Sequence, residues 1–108
     1  MKRKTIRNHK DFLTTPSDPV VYNSYFITKI KPAARKDSRY GIIVSKRTLK
    51  LAVHRNRAKR LLRDWIGVNE HLMLPDKDYI FIARATILDC TREIGRAKMA
   101  NALKKIAK

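Results

Sequence analysis

Between Ala52 and Ile66 the chain carries two patterns that one helix can satisfy together. Ala58, Leu61, Leu62, Trp65 and Ile66 recur at the three- and four-residue spacing of a single helical face. With successive residues turned by about 100°, Arg55, Asn56, Lys59, Arg60 and Arg63 gather on the opposite side, and Arg57 falls on the flank. Gly67 is expected to end the helix. The wider segment from Lys46 to Arg63 holds eight Lys or Arg and no acid. Exposed helices normally mix signs, because like charges one turn apart cost a few tenths of a kcal/mol each while opposite charges help by as much. A helix that takes this cost repeatedly presents one face to a core and a cationic ridge to an anionic partner.

The rest of the composition agrees. The 108 residues include 26 Lys or Arg against 9 Asp or Glu, a formal charge of +17. A chain of this length supports one hydrophobic core, so residues 1–108 are expected to form a single domain. Repulsion among so many like charges weakens the compact state unless an anion relieves it, and a polyanion is the natural source. Cys90 is the only cysteine, which excludes an internal disulfide framework, and there is no CxxC or Cys/His cluster of the kind that holds zinc. A reducing cytoplasm is the expected location. The basic stretch Met1 to Lys10 runs into Asp11, Phe12 and Leu13, not the apolar run of a secretory signal. No window of 18 apolar residues exists to span a membrane, and a basic amphipathic membrane binder, the alternative, wants bulky apolar residues beside its basic face.

Elsewhere the pattern alternates between element types. Residues 5–13 suit a brief helix, closed by the turn-rich Thr14-Thr15-Pro16-Ser17-Asp18-Pro19. Val20 to Ile30 is rich in β-branched and aromatic residues and reads as a strand, with Tyr22, Phe26 and Ile30 on one face and Val21, Tyr25 and Ile27 on the other. Lys31 to Ser38 reads as a hairpin connection to a second, antiparallel strand over Tyr40 to Ser45, in which Gly41 marks a bulge or a close backbone approach. Asp78 to Arg84 is almost continuously apolar, as expected of a central strand, and its place after a helix suggests a β-α-β unit. Thr91 to Lys108 is helical in composition, with Met99, Leu103 and Ile106 inward; Gly95 weakens its first turns.

No protein-borne active site emerges. The carboxylates are scattered, and Asp76 and Asp78, the close pair, read as solvated loop residues. There is no glycine-rich phosphate loop, no metal-ligand cluster, and Ser45 has no base partner. The arginines suit bidentate phosphate contacts. Asn56 can meet a base edge or a ribose hydroxyl, or cap the local backbone, and the residues alone leave both open. His54 is expected on the apolar side as a structural histidine. Phe12 and Tyr25 are either core residues or stacking faces for a single strand.

The run Arg55-Asn56-Arg57-Ala58-Lys59-Arg60-Leu61-Leu62-Arg63 closely resembles the R-N-R-x-K-R-x-x-R signature of the protein subunit of bacterial ribonuclease P. Tyr40 to Arg47 is similar to that family's strand ending in V-[SA]-K-K, Asp78 to Arg84 to its D-[YF]-hydrophobic-A-[RK] strand, and Asp11-Phe12 to the D-F pair of its first helix. The resemblance covers about residues 5–106. It implies an α+β fold, an α/β sandwich in the order α-β-β-β-α-β-α, with a four-stranded sheet, packed helices and a left-handed β-α-β crossover against the usual hand. It also suggests that Val20 to Ile30 is split or bent. The implied activity is endonucleolytic removal of the 5′ leader from precursor tRNA, catalysed by the RNA subunit with magnesium bound mainly by that RNA. The partners implied are the catalytic RNA and precursor tRNA, with no DNA and no membrane. By resemblance, Arg55, Asn56, Arg57, Lys59, Arg60 and Arg63, with Lys46 and Arg47, contact the RNA subunit, while Phe12, Tyr25, Ser45 and Lys46 line a cleft for the leader. This chain departs from relatives at Pro16, where some carry a second Phe, and at Thr48-Leu49-Lys50-Leu51, where many carry a Gly.

Two other classes fit the charge. A structural RNA-binding protein of ribosomal type shares it but lacks the signature followed by the Asp78 to Arg84 strand. A nuclease in its own right requires two neighbouring inward carboxylates.

Overall fold

The apolar run after Asp76 forms the middle of the sheet. In the computed structural model, which describes residues 3–6, 12, 15, 17–33 and 38–107, five strands appear: β1 (Lys4–Thr5), β2 (Val20–Tyr22), β3 (Phe26–Pro32), β4 (Arg39–Ile43) and β5 (Lys77–Ala83). Their order across the sheet is β1-β4-β5-β3-β2. Two helices, α1 (Ala52–Val68) and α2 (Arg92–Ile106), pack on it and on each other. The fold is α+β as expected, but the sheet has five strands where four were anticipated. The additional strand is β1, which pairs with β4 in parallel and places Thr5 beside Tyr40. Thr5 is therefore extended, not the start of a helix; the rest of that expected helix, apart from Ile6 and Phe12, lies outside the described residues, as does Pro16.

The expected β-α-β unit is present, because β4 and β5 are parallel neighbours joined through α1. The expected hairpin is not. β3 and β4 run in opposite directions but lie on either side of β5, which pairs antiparallel with β3. A short link favours direct pairing, yet β5 needs a partner on each edge: Tyr79, Ile80 and Phe81 are all buried. The Val20 to Ile30 stretch is split, as the resemblance suggested. Asn23 makes the break: its Oδ1 accepts from the backbone N–H of Tyr25 at 2.8 Å and of Phe26 at 2.9 Å. This turn pairs Tyr22 with Ile27 and Val21 with Thr28. Tyr22 thereby leaves the face of Phe26 and Ile30 and stands 64% exposed.

The core lies between the sheet and the helices. Ala58, Leu62, Trp65 and Ile66 of α1 and Met99, Ala102, Leu103 and Ile106 of α2 meet Phe26, Ile30, Tyr40, Tyr79 and Phe81. Both helical stripes read from the periodicity are inward, with Leu61 only half-buried at the margin. Trp65 is the centrepiece, 6.0 Å from the Phe26 ring. The α1 helix does not stop at Gly67. Glycine in a helix costs about 1 kcal/mol and does not by itself end one. The turn comes at Asn69, whose Nδ2 donates to the carbonyls of Trp65 at 2.9 Å and Arg96 at 3.0 Å, tying the end of α1 to α2.

Two basic residues belong to the fold and not to a binding face. Arg3 donates to the Leu74 carbonyl at 2.7 Å and to Ser38 Oγ, and its guanidinium sits 5.6 Å from the centre of the Tyr79 ring. Arg39 pairs with Asp78, which accepts from the Arg39 backbone N–H at 2.7 Å and from its guanidinium at 3.3 Å. Asp78 is fully buried. The expectation of a solvated loop carboxylate fails there because its partner is distant in sequence; Asp76 is exposed as expected.

Candidate nucleic-acid interface

The α1 helix turns one side to Trp65 and the core and leaves Asn56, Arg57, Arg60 and Arg63 exposed, with Lys59 half-exposed beside them. Val53, Asn56, Lys59, Arg60 and Arg63 line an open groove of about 500 Å³ along the outer face. The first turn carries no acid and its N-cap, Leu51, offers no side-chain cap, so the positive end of the helix dipole adds to the side-chain charge. Asn56 is exposed and is not the helix cap, which leaves its amide to the groove. His54 is exposed rather than inward, because the apolar stripe begins at Ala58, one turn further on.

The turn before α1 sets Lys46 and Arg47 outward. Ser45 Oγ accepts from the Thr48 backbone N–H at 3.1 Å and lies 2.8 Å from Thr48 Oγ1. The Ser45 carbonyl takes the Leu49 N–H at 3.0 Å. No described residue has a positive φ, so this turn closes without a glycine. Ser45 is thus occupied in shaping the turn. Arg55, the first residue of the signature, is likewise turned back: its Nη1 donates to the carbonyls of Leu49 at 3.0 Å and Lys50 at 2.7 Å. It binds the turn to the helix as well as adding charge, a role that helical periodicity alone does not signal.

A second cleft, of about 210 Å³, is lined by Thr5, Ile6, Phe12, Tyr40, Gly41 and Ile42 together with Lys59 and Arg63. The Phe12 ring stands over Gly41 so closely that a Cβ there would lie 2.3 Å from Phe12 Cε1. This is the close approach that Gly41 signalled. Lys59 and Arg63 line both the groove and this cleft, so the ridge and the Phe12 site are continuous. Tyr25 is not in that lining; it is half-buried and packs against the core beneath the helices. Ser45 and Lys46 are also outside it. The geometry therefore gathers Phe12 with ridge residues and leaves Tyr25 apart.

Among the described residues no three His, Cys, Asp or Glu side chains gather as a metal site. Asp64, the acid of α1, is engaged: its two oxygens accept from Arg96 Nη2 at 2.9 Å and Nε at 3.0 Å. That hydrogen bonding holds its carboxyl below the usual carboxylate range, against the opposing effect of burial. The arrangement can grip phosphates over a long face.

A family model described as Ribonuclease P matches residues 1–107. The chain belongs to the ribonuclease P protein family. The ribonuclease P protein component of Desulforapulum autotrophicum is 31% identical over 108 residues, covering 99% of this chain and 92% of that protein. That of Vibrio campbellii is 44% identical over 55 residues, covering 51% of this chain and 46% of that protein. The solved ribonuclease P protein from Thermotoga maritima superposes with a TM-score of 0.78 at 26% identity, covering 95% of this chain and 97% of that one. Membership implies an RNA subunit as partner and a place in an endoribonuclease complex that processes the 5′ ends of tRNA. Among the described residues no helix is long and apolar enough to cross a membrane.

Proposed function

We propose that this chain is the RNA-binding subunit of a cytoplasmic ribonuclease P, holding the catalytic RNA on the α1 ridge and the precursor-tRNA leader over Phe12 and Gly41. The observation that carries the reading is the exposed, acid-free face of α1, where Asn56, Lys59, Arg60 and Arg63 share one groove and Arg57 stands exposed on its flank. Neutralising phosphates there lets two polyanions approach each other, and each contact releases counterions. The chemistry belongs to the RNA and its magnesium; the protein binds and orients. Lys46 and Arg47 extend the RNA-subunit contact beyond the helix. Ser45 acts on the leader only through the turn it shapes, and Tyr25 through its support of the core.

The test is leader cleavage by the RNA subunit at low magnesium, with and without the chain. Stimulation that falls in Arg60→Ala, with the fold intact, is expected. Absence of stimulation by the unaltered chain would leave a structural RNA-binding protein. Cleavage by the chain alone would overturn the assignment of the chemistry to the RNA. Gly41→Ala, which drives Phe12 off the sheet, is expected to weaken leader binding while sparing affinity for the RNA subunit.

A further inference from the structure

Arg92 is the first residue of α2, and it faces the flank of α1. With Arg57 and Arg60, one turn apart on α1, it lines a cleft of about 350 Å³ whose remaining walls are Leu61, Asp64 and Trp65. Asp64 is the one carboxylate in that lining, and Arg96 already holds both its oxygens. Arg57, Arg60 and Arg92 are exposed, and among the described residues none has a carboxylate within ion-pairing distance. Three guanidinium groups around one concavity repel one another while it is empty, and an anion placed between them removes that cost. Their forked donors match phosphate oxygens. The start of α2 adds the positive end of a 15-residue helix.

We infer that the cleft between α1 and the start of α2 is a phosphate site, with Arg57, Arg60 and Arg92 as its cations, and that it takes a phosphodiester of the RNA bound along the α1 ridge. The inference rests on the RNA-binding reading above and extends it, because it carries the contact from one helix onto the second. Phosphate is the shared chemistry, whether it comes from an RNA backbone or free in solution. Arg92 belongs to no signature and counts in the sequence only as part of a diffuse basic tail; the packing of α2 on α1 makes it a neighbour of the ridge.

Trp65 is the only tryptophan and walls this cleft, so its emission reports occupancy. The full chain, held folded by an osmolyte, is titrated with inorganic phosphate against chloride of equal ionic strength. A saturable change in emission is expected for the unaltered chain and for Lys104→Ala. The apparent affinity is expected to fall at least tenfold in Arg92→Ala and to recover in part in Arg92→Lys. Arg92 is exposed, and circular dichroism verifies that the variants remain folded. A phosphate response that survives Arg92→Ala unchanged overturns the site. In a second arm, binding to the RNA subunit is measured across salt concentrations, and the log–log slope is expected to shrink by about 0.7 to 0.9, one phosphate, in Arg92→Ala. An unchanged slope beside a lost phosphate response overturns the RNA source and marks a site for free phosphate. Failure of the unaltered chain to bind RNA overturns the functional reading and the RNA half of this inference, while the Trp65 titration still decides the cleft.

Discussion

Replacing Gly95 by alanine sets two effects of opposite sign against each other. Gly95 lies within α2, where alanine is favoured over glycine by about 1 kcal/mol. A Cβ at this position would meet the Trp65 ring at 2.0 Å from Cε2, 2.3 Å from Cζ2 and 2.5 Å from Nε1. These are distances that no packed pair of carbons tolerates. The indole cannot swing away, because it is fully buried against Phe26. The helix must move instead, and Asn69 resists that movement through its bond to the Arg96 carbonyl. Overpacking of this kind costs about 1–3 kcal/mol, and a rigid ring fixed on its far side places the cost at the upper end. After the helical gain, Gly95→Ala is expected to destabilise by roughly 1–2 kcal/mol, a fall in Tm of roughly 4–16 °C for a domain of this size. The assay is thermal and urea unfolding followed by circular dichroism, with Ala97→Gly, at an exposed position of the same helix, as reference. That reference is expected to lose about 1 kcal/mol from propensity alone. A midpoint for Gly95→Ala equal to or above that of the unaltered chain would refute the close packing of α2 on Trp65.

Arg55→Ala is expected to lose about 1–2 kcal/mol of stability through its bonds to the Leu49 and Lys50 carbonyls, whereas exposed Arg60→Ala stays within about 0.5 kcal/mol. Equal urea midpoints for the two would contradict the structural role of Arg55. Asp78→Ala is expected to cost about 3–5 kcal/mol, since it strands a buried Arg39, and a loss under about 1 kcal/mol in chemical denaturation would deny the pair its importance. Sulfate or phosphate is expected to raise the thermal midpoint more than chloride at equal ionic strength, because an anion that binds only the folded state stabilises it. Burial pushes the Cys90 thiol above its ordinary value of 9.0, so the reactive thiolate is scarce at neutral pH. Labelling with iodoacetamide is expected to be slow at pH 7 and to accelerate only above pH 9; rapid labelling at pH 7 would show the site to be open.

The α1 helix was legible because a single period carries both its apolar stripe and its charges, and neither depends on remote residues. The inner face of α2, the central place of β5 and the β-α-β unit followed from equally local patterns. The strand pairing did not. Whether β3 lies beside β4 turns on how β5 is covered on both edges, a property of the whole sheet. The Asn23 turn rests on one side-chain oxygen and reverses the face of Tyr22 with no break in the apolar run. Asp78 reads as a loop acid until Arg39 arrives from another strand. At the site, the ridge residues stood out by charge density and signature. The inward turn of Arg55, the separation of Tyr25 from Phe12 and the recruitment of Arg92 each depend on three-dimensional neighbours that no spacing rule encodes.

The Arg39–Asp78 pair has a consequence for how β4 finds its place. Parallel strands offer evenly spaced bonds in any alignment, so the backbone alone does not choose among them. A slip of one residue would turn Tyr40 out of the core and carry Arg39 into it, leaving Asp78 sealed in without a countercharge. At about 3–5 kcal/mol for a stranded buried charge, that misalignment is disfavoured by a factor of at least a hundred. The pair thus acts as an address label, admitting β4 to its slot by making the neighbouring slots untenable.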